Sequence, residues 1–249
     1  MPTVTERKMK KTWDDSFREQ IRASAYNTAA VEAVIRHVSY HLRGRGPAEL
    51  RKLHFLEMGC GAGPNLVWLA QKGMKVSGVD ISPTALKLAK ANMKSQGLSA
   101  RVGKLVEASV TALPFADESL DGIIESCVFQ HLNQEDREKT FAEIRRCLKP
   151  GGLFVGHMLD RGHTVYQKRS AEQLPEDPGT LMLEDGTSKF HLTNIGLSHF
   201  FSKEEYKHYF RGFKTIDPCL STYEIPAAEA KKRGYDRYMQ SMWIVHAVK

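Results

Sequence analysis

Leu53-His54-Phe55-Leu56-Glu57-Met58-Gly59-Cys60-Gly61-Ala62-Gly63-Pro64 is an apolar run that ends in three alternating glycines and a proline, and a second apolar run follows at Lys75 to Asp80. Leu53 to Met58 reads as a strand that the glycines close. Pro64 to Lys72 reads as a short helix, with proline in its first turn and Gly73 just past its end. Lys75 to Asp80 is the next strand. A glycine between strand and helix admits a ligand against the main chain, where a side chain would hold it off. Asp80 ends the second strand, 21 residues after Gly59, where a carboxylate accepts both hydroxyls of a ribose. Strand, glycines, helix, strand and acid describe a nucleoside site. A dinucleotide fingerprint starting at Gly59 needs its third glycine at position 64, where the chain has Pro64, and nicotinamide cofactors are thereby disfavoured.

The same rhythm continues outward. Ser82 caps a helix that Pro83 starts and Gly97 ends, with Leu86, Ala89 and Met93 on its buried side. A third strand falls within Arg101 to Ala108 and a fourth at Leu120 to Glu125. Asn133 caps Gln134 to Cys147, whose first turn carries Glu135 and Asp136 and whose last carries Arg145 and Arg146, both favourable to the helix dipole. Pro150-Gly151-Gly152 turns into a fifth strand, Leu153 to Leu159. Ser202 caps Lys203 to Arg211, and strands near Phe213 to Tyr223 and Met242 to Val248 flank a short helical piece near Ala227 to Met239. Short apolar runs alternating with helical segments specify an α/β fold, a doubly wound, mostly parallel seven-stranded sheet. On the N-terminal side, Phe17, Ile21, Ala25, Val31, Ile35, Val38 and Leu42 recur at helical spacing with a break near Tyr26-Asn27. Residues 1–50 are therefore expected to form a helical cap, and residues 51–249 the α/β domain that carries the nucleoside site. Within the latter, residues 160–201 are polar and rich in Gly and Pro, as expected of a lid or substrate wall.

A length of 249 residues with 41% hydrophobic side chains is enough for a full core and excludes disorder along the whole chain. No apolar run reaches the roughly 18 to 20 residues of a membrane helix. The N-terminus has no apolar stretch behind Arg7, Lys8, Lys10 and Lys11, so no secretory signal is read and a cytoplasmic location is expected. Cys60, Cys127, Cys147 and Cys219 are scattered, without the spacing of a disulfide framework or a metal site. The formal charge of +7 permits an anionic partner, but the basic residues are spread out. The run Arg7 to Lys11 reads as a solvated tail, and Lys231, Lys232 and Arg233 are the other basic neighbours.

At this point the chain resembles the class I S-adenosylmethionine-dependent methyltransferases. The order E-x-G-x-G-x-G at Glu57 to Gly63 suits a cofactor with no pyrophosphate. Gly78-Val79-Asp80-Ile81-Ser82-Pro83 looks like that family's ribose strand, Leu113-Pro114-Phe115 with Leu120-Asp121 like its approach to strand four, His131-Leu132 like the turn after it, and Leu148-Lys149-Pro150-Gly151-Gly152 like the lead into strand five. The likeness is dense over about Leu53 to Val155 and thinner at Phe201 to Phe213. Asn65 and the compact Gly73 to Asp80 also look like the tellurite-resistance and thiol methyltransferase branch.

The resemblance implies S-adenosyl-L-methionine as cofactor and S-adenosyl-L-homocysteine as product. It implies that Glu57 orients the methionine ammonium, that Gly59, Cys60, Gly61, Gly63 and Asn65 lie along the methionine and ribose, and that Asp80 holds the ribose hydroxyls. Ile81, Ser109 and Val110 fall to the adenine, with Ser109 standing where the family commonly has an acid, and Ser126 and Cys127 to the methionine end. A hydroxyl or ammonium acceptor needs a base, and His131, Tyr26 and Asp160 are the candidates by position. No metal is implied. Glu125-Ser126-Cys127-Val128-Phe129 stands in place of the Asn/Asp-Pro-Pro-aromatic turn of enzymes that methylate nucleic-acid amines, so the expected acceptor is the O, N or S atom of a small molecule. Methylation of RNA or protein, and a module that binds the cofactor without turnover, are the alternatives; the sequence does not set the oligomeric state.

Overall fold

The computed structural model describes residues 4–184 and 196–249, with side chains described from Met9 onward. Two helices, α1 (Val4–Arg22) and α2 (Glu32–His41), and a single turn α3 (Pro47–Leu50) precede β1 (His54–Met58), α4 (Pro64–Gln71), β2 (Lys75–Asp80), α5 (Pro83–Ser95) and β3 (Val102–Glu107). There follow β4 (Leu120–Ser126), α6 (Gln134–Cys147), β5 (Leu148–Leu159), α7 (Thr164–Arg169), β6 (Thr180–Leu183) and β7 (Gly196–His199). The chain closes with α8 (Lys203–Tyr209), β8 (Thr215–Glu224), α9 (Ala227–Lys232) and β9 (Met239–Val248).

Seven strands form one sheet in the order β3-β2-β1-β4-β5-β9-β8. β3, β2, β1, β4 and β5 run parallel, and β9 is antiparallel to both β5 and β8. This is the doubly wound, mostly parallel seven-stranded sheet that the alternation of runs implies. Successive residues of each central strand face opposite layers, as a pleated strand requires. Leu56, Ile123 and Phe154 join Phe141, Ile144 and Phe210 on the side of α6 and α8. Phe55, Ile124 and Val155 join Val34, Val38, Leu66 and Leu86 on the side of α2, α4 and α5. Burial on both faces explains why these strands read as continuous apolar runs rather than alternating ones. The order of strands reverses between β1 and β4, which opens a crevice above their carboxyl ends.

Several boundaries differ from the sequence reading. The first helix begins at Val4 rather than near Ser16, so the basic run expected to be a solvated tail lies on a docked helix. There Lys10 pairs with Glu107 at the end of β3, and Lys11 with Asp15. β5 extends back to Leu148 because Leu148 pairs with Leu120 across the Pro150-Gly151-Gly152 irregularity. The segment 160–201 contains α7 and the hairpin β6–β7, which nothing in its composition signalled; residues 185–195 lie outside the described residues. The segment is pinned to the body by a buried ion pair between Arg137 of α6 and Asp177. His199 adds to this, bonding Thr180 at 2.7 Å and Glu205 of α8 at 2.7 Å. Among the described residues no helix is long and apolar enough to cross a membrane.

Burial leaves two opposed sets of titratable groups. His54, His131, His157 and His163 are each pushed down to about 4, chiefly by burial, while burial pushes the carboxyls of Glu57 and Glu125 up to about 8. A histidine whose folded value lies below its ordinary 6.5 costs stability as pH falls from there toward 4. A carboxyl raised from 4.5 contributes stability that is lost as pH rises toward 8. Four histidines outweigh two carboxyls on the acid side. Urea unfolding across pH 4 to 9 is expected to give maximal stability at about pH 6.5 with a fall on both sides; stability still rising between pH 7 and 8 would contradict the burial of Glu57 and Glu125 as neutral acids.

Candidate active site

The crevice between β1 and β4 opens into a cavity of about 880 Å³. Its floor is the bend after β1. Gly59 and Gly61 have φ of +61° and +50°; Gly59 has no room for a side chain and Gly61 little. A Cβ on Gly59 would lie 2.3 Å from Val128 Cγ2, and one on Gly61 would lie 3.2 Å from Phe17 Cζ. The backbone of the bend is tied to β2 at two points. Cys60 N donates to Val79 O at 3.0 Å, and Gly61 N donates to Asp80 Oδ2 at 2.9 Å. The other Asp80 oxygen accepts from Ser82 N at 2.9 Å. Each oxygen therefore takes one described bond and keeps lone pairs for more. Burial raises the Asp80 carboxyl, against the pull of these amide donors.

Glu57 stands beneath the bend, 3% exposed. Its Oε1 accepts from Asn65 Nδ2 at 2.7 Å, and its Oε2 is buried with no partner. Asn65 in turn accepts from Val31 N at 2.8 Å through Oδ1, so its amide orientation follows from its neighbours. A buried carboxyl with one oxygen unmatched, beside a cavity, is suited to a donor that arrives with a ligand.

On the opposite wall Glu125 holds the turn after β4, accepting from Val128 N and from His157 N, each at 2.9 Å. That turn carries Ser126 and Cys127 to the cavity, with Cys127 at φ +64°. Burial pushes the Cys127 thiol up to about 12, so it stays protonated. His131 follows on the short 3₁₀ turn Phe129–His131. Its Nδ1 lies 3.1 Å from the carbonyl of Leu197 in β7, and a carbonyl only accepts, so Nδ1 carries the proton and Nε2 keeps a lone pair. The amide of Gln130 donates to that Nε2 at 3.3 Å. Burial pushes His131 down to about 4, leaving it neutral at physiological pH.

The roof is α1. Met9, Lys10, Trp13, Phe17 and Gln20 line the cavity, and the Trp13 ring meets His131 edge-on, 4.9 Å between centroids. One carboxylate fixes this helix: Asp14 accepts from Ser82 Oγ at 2.8 Å and Thr84 N at 2.9 Å, capping the first turn of α5 from outside. Burial works to raise the Asp14 carboxyl, but the Thr84 and Ser82 hydrogen bonds and the Arg18 charge hold it below the usual range.

Glu57, Gly59, Cys60, Gly61, Asn65, Asp80, Ile81, Ser109, Val110, Ser126, Cys127 and His131 are thus brought to one cavity. Three others are not. Gly63 is the residue before α4, and its missing Cβ makes room for Ala89 of α5, at 3.2 Å. Tyr26 lies between α1 and α2, away from the lining. Asp160 sits behind the wall, accepting from Gly162 N and Ser241 Oγ at 2.7 Å each. Ser109 points its hydroxyl at Thr111, 2.7 Å away. The sequence reading missed the far wall, built by Tyr223, Arg233, Tyr238, Gln240 and Met242. Only the basic neighbours around Arg233 gave any signal there.

Residues 56–156 match a methyltransferase domain family. An O-methyltransferase of Aspergillus nomiae, rstn1, is 31% identical over 170 residues, which are 62% of this chain and 69% of that protein. Methyltransferase GfsG of Streptomyces halstedii is 38% identical over 111 residues, 43% of this chain and 38% of that protein. The chain spans less than half the length of several curated relatives it matches, 41%, 38% and 31% in three of them. A solved structure of 1,6-didemethyltoxoflavin-N1-methyltransferase from Burkholderia thailandensis, holding its acceptor and S-adenosylhomocysteine, shares the fold. Its TM-score is 0.60 at 16% identity, covering 100% of this chain and 92% of that one.

The docking of α1 rests on Asp14. An Asp14→Ala variant is expected to lose about 1–2 kcal/mol of stability, read by urea unfolding, and to become more sensitive to protease within α1; a loss below about 0.3 kcal/mol would show that α1 is held by its apolar face alone.

Proposed function

We propose that this chain, which belongs to the class I S-adenosylmethionine-dependent methyltransferases, transfers a methyl group to a hydroxyl of a small-molecule acceptor. The observation that carries the reading is the continuity of one cavity, with Asp80 and Glu57 at one end and the unprotonated Nε2 of His131, which accepts from Gln130, also lining it. About 880 Å³ is the size of a small-molecule site. The enclosing roof of α1 favours a small acceptor over a polymer.

The residues fit the cofactor. Asp80 would accept from both ribose hydroxyls, using the lone pairs its backbone donors leave. Glu57 would receive the ammonium at its unmatched Oε2, and the side-chain-free faces of Gly59 and Gly61 would let the methionine end lie on the main chain. Ile81, Val110 and Ser109 would frame the adenine. When bound, S-adenosylmethionine supplies a methyl group made electrophilic by a sulfonium. Of the three positional candidates for a base, His131 is the one at the cavity. Its Nε2 would exchange the Gln130 amide for the acceptor hydroxyl and take the proton that the hydroxyl gives up, with Leu197 O and the Trp13 ring fixing the imidazole. α1 would exclude water, and the rest of the rate comes from holding the hydroxyl in line. The O-methyltransferase relative supports an oxygen acceptor.

Two outcomes test this. Asp80→Ala is expected to weaken S-adenosylhomocysteine by at least about 100-fold in calorimetry, the loss of two charge-assisted bonds; unchanged affinity would overturn the site. Because Glu57 is neutral near pH 7 and must ionise to meet an ammonium, binding at pH 7 is expected to release a proton, seen as a dependence of the heat on buffer ionisation enthalpy. Glu57→Gln, which keeps the Asn65 bond, should abolish that release; a release of the same size in the variant would remove Glu57 from the role.

A further inference from the structure

The far wall of the cavity contains a cation outside every ion pair of the described residues, although Glu229 feels its charge. Arg233 follows α9, and its guanidinium carbon lies 4.9 Å from the centroid of the Tyr238 ring. Its Nε is buried and has no hydrogen-bond partner. Among the described residues no carboxylate is recorded within ion-pair distance of it. Glu229, one helical turn back, pairs with Lys232 at 2.6 Å. The other cation lining the cavity, Lys10, pairs with Glu107. Tyr238 is itself held from behind by His163, with Oη 3.5 Å from Nε2, and Arg233 lies against it on the cavity wall.

A guanidinium cannot shed its charge, and its paired donors match the oxygens of a carboxylate or a phosphate. A buried donor left unmatched beside open volume marks where an acceptor oxygen belongs. We infer that Arg233 is an acceptor-binding residue, and that the molecule methylated here carries a carboxylate or phosphate that Arg233 engages. Tyr223, Tyr238 and Met242 would hold its apolar body. The inference rests on the methyltransferase reading for the identity of the ligand, but the anion site itself does not. The cofactor's own carboxylate is the other source of such an anion. It is the poorer fit by position, because Gln240 and Met242 of the same wall lie on β9, which stands three strand spacings from β1 in the sheet, about 14 Å.

The test uses benzoate and phenyl phosphate as probes, with benzamide as their neutral counterpart, titrated by ligand-observed NMR into the protein with and without S-adenosylhomocysteine. At least one anion is expected to bind about tenfold or more tighter than benzamide, and the tighter of the two identifies the anion. Arg233→Gln should bring it to the level of benzamide, Arg233→Lys should keep part of the preference, and both should hold S-adenosylhomocysteine as the parent does. Equal binding of all three probes to the parent protein overturns the inference, whatever the variants do. So does an Arg233→Gln variant that keeps the preference, or one that loses S-adenosylhomocysteine instead, which would give Arg233 to the cofactor. A parent that prefers the anion but takes up no S-adenosylhomocysteine would leave the anion site standing and remove the methyltransferase reading.

Discussion

The contact between Gly59 and Val128 is the constraint on which the site depends. β1 and β4 are neighbours in the sheet, and the loops that leave them must share the space above their carboxyl ends. They do so because one side supplies no side chain at all, where a Cβ would come within 2.3 Å of Val128 Cγ2. Val128 is placed by Glu125, whose carboxyl is fully buried and is satisfied by the amides of Val128 and His157. Burying that carboxyl is affordable only as a neutral or doubly bonded group, and its rise to about 8 reflects this. The chain of cause runs from a buried acid, to a turn with Cys127 in the left-handed region, to a valine, to a glycine. The cavity is the space those four leave.

The roof obeys a different logic. α1 is strongly polar, and among its described side chains only Asp14 is buried. It is placed by polar contacts at defined points, Asp14 on the first turn of α5 and Lys10 on Glu107, while Trp13 and Phe17 fill the gap over His131 and Gly61. An exposed pair such as Lys10 with Glu107 contributes little, roughly 0–1 kcal/mol, whereas an external cap on a helix contributes about 1 kcal/mol. Asp14 is thus the stronger anchor. A helix held by a few polar contacts is cheaper to lift than one held by a broad apolar face, a property suited to a roof over a site that ligands must enter.

How much of this was legible in the sequence follows from which interactions are local. The sheet was readable from Leu53 to Leu159 because its strands are buried on both faces and its helices begin at caps, Ser82 and Asn133, whose side chains do accept from Ala85 N and Asp136 N. The glycines and Asp80 were readable because strand, bend and acid lie within one β-α-β unit. What was not readable joins residues far apart: Asp14 to Thr84, His131 to Leu197, Arg233 to a cavity whose floor is at Gly59. No periodicity encodes these pairings. Tyr26 and Asp160 show the converse, residues of suitable chemistry near the right elements that the folded chain turns to other uses, Asp160 to bracing Gly162 and Ser241. The basic run at the N-terminus misled for a related reason. Charge density suggests solvent, but α1 starts at Val4 and runs through it, setting Lys10 against Glu107.

The distribution of charge along the cavity decides what kind of molecule could lie in it, and magnitudes show that the decision is local. Glu57 and Asp80 cluster under the bend and Arg233 stands alone at the opposite wall. At an effective dielectric near 20, unit charges must come within about 4 Å to interact by about 4 kcal/mol, and among the described residues no carboxylate forms an ion pair with Arg233, so the acids do not satisfy the guanidinium across the cavity. Each end must therefore be neutralised by what touches it. A cofactor cationic at the acid end and an acceptor anionic at the arginine end would do so, each in a single binding mode, and exchanging the two would bury two unmatched charges at once. Orientation in such a site is set by desolvation at the two ends rather than by attraction along its length. Neutral His131 between them fits that arrangement, since a charged imidazole there would oppose the cationic partner and compete with Arg233 for the anionic one.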